Sequence, residues 1–236
     1  MKRIIFLSAF VFISIGEFYS QSNMRLGFNL GSTVGWPVES SGLNDGFFTV
    51  SRAGVQGGIV NTLTVSDRFI ASIGANVSLQ SFALRQTGNQ IYNLDARFKA
   101  FQLDIPLNIG FTGYLGSLRH RETIGIGLQS NLSLSNKLVL NGDSTGNIDA
   151  KASSALRTSV YPVLMAGFEI GSTFDNDGSI YFGLHFRYGL QEVYTASFNS
   201  NVYPTQSVVY NGTYLGFGLT FYLPRYSYWF KREFIY

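Results

Sequence analysis

Four ionisable residues fall where an alternating chain would enclose them: Asp104, Glu169, His185 and Arg187. Side chains two apart in a strand share a face, and by that parity all four point to the small, polar side of their segments. Enclosed charges must be paired. The expected arrangement is a salt-bridge plug in which Glu169 or Asp104 contacts Arg187, and a gated ion path is the sharper alternative. A second candidate is a lipid hydrolase built on a Ser/His pair with a carboxylate. The chain has only 2 histidines. His120, between Arg119 and Arg121, reads as a solvated residue of a short turn, and His185 points inward, away from lipid. The third candidate is Asp175-Asn176-Asp177-Gly178, which begins like a calcium loop. Its twelfth position is Phe186 rather than a bidentate glutamate, so a tight hairpin turn is expected. Gly54-x-x-Gly57-Gly58 lies within a strand and reads as relief of crowding, not as a phosphate loop. No catalytic residue, metal or cofactor is expected.

Composition narrows the classes that could carry these residues. The chain has 236 residues and no cysteine. That excludes a disulfide scaffold, a thiolate metal site, a cysteine nucleophile and a lipid-anchored lipoprotein. Charged residues make up 13%, half the usual quarter of a soluble domain. A hydrophobic fraction of 45% excludes intrinsic disorder. The net charge of +3, with no Lys/Arg run, leaves no footprint for nucleic acid.

The elements that position the candidates begin after an address. Lys2 and Arg3 precede an apolar run from Ile4 to Ile15, followed by Gly16, Glu17, Ser20, Gln21 and Ser22. This is the pattern of a secretory signal peptide over 1–20. Cleavage after Gly16, after Ser20 or after Ser22 fits the small residues there. No later window holds 18 consecutive apolar residues, so no transmembrane helix is expected.

Beyond the leader the hydrophobic period is two. Phe101, Leu103, Ile105, Leu107, Ile109 and Phe111 alternate with Gln102, Asp104, Pro106, Asn108, Gly110 and Thr112. Ile124 to Leu134, Ile180 to Leu190 and Leu215 to Phe221 alternate likewise. A soluble sandwich or lipocalin would turn the apolar face inward, and a membrane barrel would turn it toward lipid. The polar face is rich in Gly, Ser, Asn, Gln and Thr and poor in the Lys and Glu that coat a solvated sheet. Aromatics gather toward segment ends: Phe69, Phe111, Tyr114 and Phe174 at one rim, and Phe82, Phe98, Tyr161 and Tyr194 at the other. Both features favour the apolar face outward.

Eight strands are expected, over about 24–34, 52–65, 68–86, 97–113, 122–139, 157–173, 179–195 and 209–223. Long connections (35–51, 87–96, 140–156, 196–208) alternate with short ones (66–67, 114–121, 174–178). This rhythm predicts an all-β, eight-stranded, antiparallel up-and-down transmembrane β-barrel with short periplasmic turns and longer extracellular loops. The barrel would occupy 21–223, followed by an aromatic and basic periplasmic tail over 224–236. The long connections, with Glu39-Ser40-Ser41-Gly42, Thr87-Gly88-Asn89, Asn141-Gly142-Asp143 and Asn199-Ser200-Asn201, are expected to be polar and mobile.

Met24-Arg25-Leu26-Gly27-Phe28-Asn29-Leu30-Gly31 and, above all, Phe101-Gln102-Leu103-Asp104-Ile105-Pro106-Leu107-Asn108-Ile109-Gly110 resemble the PorT-like family of small outer-membrane β-barrels. That family typically reads Leu-Glu-Ile-Pro-Leu in this strand, and Asp104 stands where it has Glu. The resemblance implies an eight-stranded barrel in the outer membrane, and some members belong to a secretion apparatus. Tyr214, Gly216, Leu219 and Phe221 look like the β-signal read by the barrel-assembly machinery, although they sit well before the C-terminus. A non-enzymatic envelope component is the expected function, ahead of a small-solute channel and of a soluble periplasmic lipocalin-like binder. Membrane lipids, lipopolysaccharide, the assembly machinery and envelope or secretion proteins are its expected partners.

Overall fold

The computed structural model describes residues 24–37, 43, 46–86, 93–141, 150–174, 177–200 and 205–224. The expected leader, most of the expected tail, and the segments 39–42, 87–89 and 142–143 lie outside them. The described elements are all strands: β1 (Met24–Gly35), β2 (Phe47–Thr64), β3 (Phe69–Gln86), β4 (Asn93–Leu115), β5 (Leu118–Asn141), β6 (Ala150–Leu156), β7 (Val160–Thr173), β8 (Ser179–Gly189), β9 (Tyr194–Ser200), β10 (Gln206–Tyr210) and β11 (Tyr214–Tyr222).

Eight of them close into an antiparallel barrel in the order β1-β11-β8-β7-β5-β4-β3-β2. The seam is complete: β1 pairs with β11 from Gly27↔Tyr222 to Gly35↔Tyr214, and with β2 on its other side. Closure leaves no edge, which lets strands cross lipid with every backbone group paired. The wall is tight where backbones cross. A Cβ at Gly58 would strike the Ala75 carbonyl and the Asn76 side chain.

Three tight turns join β2–β3, β4–β5 and β7–β8 at one end. Gly116 takes φ 63° in the second and Asp177 takes φ 65° in the third. Residues 114–121, expected as a connection, are mostly strand. His120 therefore lies in β5, opposite Gly113 and Ile170, rather than in a turn.

The outward face is apolar. Leu30 is 71% exposed, Ile109 61%, Ile124 64%, Ile126 60% and Phe182 58%. A continuous exposed apolar belt of this kind needs a non-aqueous neighbour. Along β4 it runs from Phe111 to Phe101. That is about 34 Å of strand, or ~26 Å along the axis at a tilt of ~40°, which matches the ~25 Å band of a membrane barrel. Phe69, Phe111, Tyr114 and Phe174 are exposed at the short-turn rim.

The other rim differs from expectation. Phe82, Phe98, Tyr161 and Tyr194 are not a girdle, being at most 1% exposed. The reason is a second sheet. β10, β9 and β6, drawn from the connections that follow β5 and β8, form a three-stranded antiparallel sheet. It packs on the inward faces of β2–β5 where these strands rise beyond the belt, and buries Phe47, Phe82, Leu84, Phe98, Tyr194, Phe198 and Tyr210 in one core. Phe82 stacks on Phe98, Tyr194 and Tyr210 at 5.3, 6.0 and 5.7 Å between centroids. Trp36, Phe101 and Tyr188 are exposed toward this end instead. The expected strand 179–195 accordingly ends at Gly189, and Tyr194 opens β9 in the lid.

Candidate functional site in the barrel lumen

The inward parity of β4, β5, β7, β8 and β11 sends polar side chains into a narrow interior. Asp104 on β4 and Arg187 on β8 stand three strands apart around the barrel and meet at 2.5 Å. Both side chains are at least nine-tenths buried. The Tyr214 hydroxyl, from β11, donates to Asp104 Oδ2 at 2.9 Å, and the Arg187 guanidinium lies 5.3 Å from the centre of the Tyr214 ring. One carboxylate, one guanidinium and one phenol thus meet across the lumen. Glu169 does not reach Arg187 by a direct ion pair. It accepts from the Thr220 hydroxyl at 2.9 Å and lies 3.6 Å from His185 Nε2.

A second barrier lies nearer the short turns. The Arg121 guanidinium is held 4.0 Å from the Tyr181 ring centre and 4.3 Å from that of Tyr222. Arg121 stands opposite Glu169 in the β5–β7 register. Below it, Arg25 donates to the Asp177 carboxylate at 2.6 Å. That carboxylate belongs to the expected hairpin turn and serves an ion pair. No cluster of three or more metal-ligating groups occurs among the described residues.

Between the two barriers lies a cavity of about 80 Å3, lined by Asn29, Ser72, Asn76, Asn108, Thr123 and Glu169 among others. Asn29 Nδ2 donates to Asn76 Oδ1 at 2.7 Å, skipping a strand. Above the Asp104–Arg187 pair lies a hydrogen-bonded amide layer. Gln129 donates to Gln102 at 2.7 Å, and Gln102 to Tyr161 at 2.9 Å and to Asn131 at 2.8 Å. The aromatic core of the lid covers this layer.

Sequence reasoning missed Arg121, Tyr181, Tyr222, Gln102 and Gln129. The signal for Tyr181 was its shared parity with His185 and Arg187. Arg121 falls outside the expected strand because that strand, at 122–139, starts four residues after β5 does at Leu118. Within β11, Tyr214 and Gly216 lie on the inward side, with a Cβ at Gly216 meeting Gln56 Nε2 at 2.9 Å. Leu219 and Phe221 are on the belt, 49% and 42% exposed.

Among solved structures the chain is similar to the outer membrane protein OprG from Pseudomonas aeruginosa. The match has a TM-score of 0.50 and 12% identity, and covers 86% of this chain and 97% of that one. It also matches a major outer membrane protein from Thermus thermophilus with a TM-score of 0.44 and 10% identity, over 84% and 99% of the two chains. The chain has the fold of an outer-membrane β-barrel. No protein-family model matches the sequence, and no curated protein is significantly similar to it. The apolar belt and the enclosed charges of this barrel agree with that fold.

Proposed function

We propose that this chain is a non-enzymatic integral protein of the outer membrane, a sealed barrel that acts as a structural or accessory component of the envelope or of a secretion assembly. The observation that carries the reading is the Asp104–Arg187 pair across the lumen. With the Gln102–Gln129 layer above it and the Arg121 stack below, it fills the lumen with interacting side chains, which supports a barrel that does not select solutes. Charges enclosed in this way serve as struts.

Both ends of the barrel segment lie with the short turns, so that end faces the periplasm and the lid faces outward. The lid sheet, paired strand to strand and aromatic-cored, is the surface offered to protein partners. The resemblance of the Phe101–Gly110 strand to PorT-like barrels supports a place beside a secretion assembly. The seam strand β11, with Leu219 and Phe221 on the belt, is the strand the barrel-assembly machinery would read. His185 faces the closed lumen, and His120 stacks near Phe168 at 6.4 Å.

The test is conductance of the purified barrel in planar lipid bilayers. The sealed lumen predicts no sustained steps above the bare-membrane baseline. A stable open state carrying small ions would overturn the sealed-barrel reading in favour of a channel.

A further inference from the structure

Where β2–β5 rise beyond the apolar belt, their outward faces carry three rows of residues in register. The first row reads Arg52, Ser81, Lys99 and Ser135 across the four strands. The second reads Val50, Ala83, Arg97 and Lys137, and the third Phe48, Arg85, Asp95 and Val139. Five cations therefore surround one carboxylate. Asp95 takes Arg52 at 2.6 Å and Arg97 at 3.0 Å, with Arg85 at 3.7 Å. One negative charge against three guanidiniums and two ammoniums leaves a surplus of four positive charges. The small residues Ser81 and Ala83 form the floor between them.

One pair in this patch works against the protein alone. Arg97 and Lys137 stand directly opposite on neighbouring strands. Like charges at such positions destabilise a sheet, and among the described residues Asp95, the patch's one carboxylate, is engaged by the three arginines rather than by Lys137. An anion seated over the pair would relieve the repulsion. Position states which anion. Lys99 follows Phe101, the last belt residue of β4, by one step on the same face. The patch thus sits at the height where hydrocarbon gives way to headgroups, on the side away from the short turns. Guanidiniums recognise phosphate oxygens in pairs.

We infer that this patch binds the phosphate groups of an anionic glycolipid headgroup in the outer leaflet, tying the barrel wall and the base of the lid to the membrane surface. The inference rests on the outer-membrane reading above.

The test uses the full chain folded in phosphatidylcholine nanodiscs doped with bisphosphorylated lipid A. Lipid A molecules retained per barrel are counted by native mass spectrometry. The expected result is at least roughly tenfold preference over dephosphorylated lipid A, as several juxtamembrane cations imply. The preference should vanish in the Arg85→Gln/Arg97→Gln/Lys137→Gln variant. It should persist in an Arg68→Gln/Arg119→Gln variant, which removes cations at the short-turn end. It should grow in Asp95→Asn, which a merely structural role would not produce. Equal retention of the two lipids, or a preference untouched by the triple variant, overturns the site. So does inorganic phosphate binding as well as lipid A, since the patch is then a free-anion site. A chain that fails to enter the nanodisc or to shift on heating in gels overturns the outer-membrane reading, and the site with it.

Discussion

Asp104 and Arg187 belong to strands on nearly opposite sides of the barrel and touch through the middle of it. Two strands, β7 and β5, separate them along the shorter arc of the ring, so the contact spans the lumen rather than the wall. It therefore ties two distant parts of the wall together through the interior.

Removing one partner leaves the other charge buried without its counter-ion. Arg187→Met or Asp104→Asn should each lower stability by about 3–5 kcal/mol. The double variant should recover much of that loss. Urea unfolding of the barrel in bilayers, read by the heat-dependent gel shift, measures all three. Additive losses would show that the two residues do not act as a pair.

Leu107 is 53% exposed in the middle of the belt on β4. Leu107→Arg should destabilise the folded barrel in bilayers by roughly 2–4 kcal/mol. The same substitution at Val65, beyond the end of β2 and 64% exposed, should cost about 1 kcal/mol or less. Equal costs at the two positions would be at odds with a lipid-facing belt.

The lid carries its own pH limit. Burial pushes the Tyr194 phenol well above its ordinary value, and pushes Tyr210 up as well, with the negative charge of Asp104 adding to the second. A raised folded value means that these phenols stabilise the lid fully below the unfolded value of about 10. The contribution is lost as pH climbs through the folded value. Alkaline titration followed by tyrosinate absorbance should show both lid phenols, Tyr194 and Tyr210, among the late-ionising group, and the lid should become protease-sensitive only as they ionise. Tyr194→Phe should remove one phenol from the late-ionising group. Titration of every lid tyrosine near the ordinary value contradicts the buried core.

Arg121 is held by two ring faces rather than by a direct ion pair. Arg121→Lys keeps the charge but loses the planar stack, and should cost about 1–2 kcal/mol. Tyr222→Leu should cost a similar amount, and the two losses should not add, because they remove one contact. A fully additive double variant in the same unfolding assay would count against the stack.

The sequence carried the barrel because the alternation from Phe101 to Phe111 is unbroken and matches the belt residue for residue. It lost the lid for two physical reasons. A bulge at Phe101/Gln102 shifts the β4–β5 register. Leu134, counted with Ile124 and Ile126, therefore turns inward to pack against the lid core. The lid strands also pair with partners far along the chain, β6 with β9 across Ala150↔Ser200, so nothing local announces them. The alternation Tyr194, Ala196, Phe198 was present, but it belonged to a different sheet from the strand it extends in sequence. In the lumen, parity located Asp104, Glu169, His185 and Arg187 on one face. It could not say which acid would reach which base, because that depends on the order of strands around the ring.

Which face of the wall meets lipid can be read by single-cysteine labelling, which the absence of cysteine makes clean. Spin labels at Ile126→Cys and Thr123→Cys, in barrels folded into bilayers, can be compared for collisions with oxygen and with a water-soluble nickel chelate. The label at 126 should be reached by oxygen and not by the chelate, and the label at 123 should be shielded from both. Free access of the chelate to position 126, with the label at 123 still shielded, would mean that water bathes the apolar belt, and the chain would not be a membrane barrel.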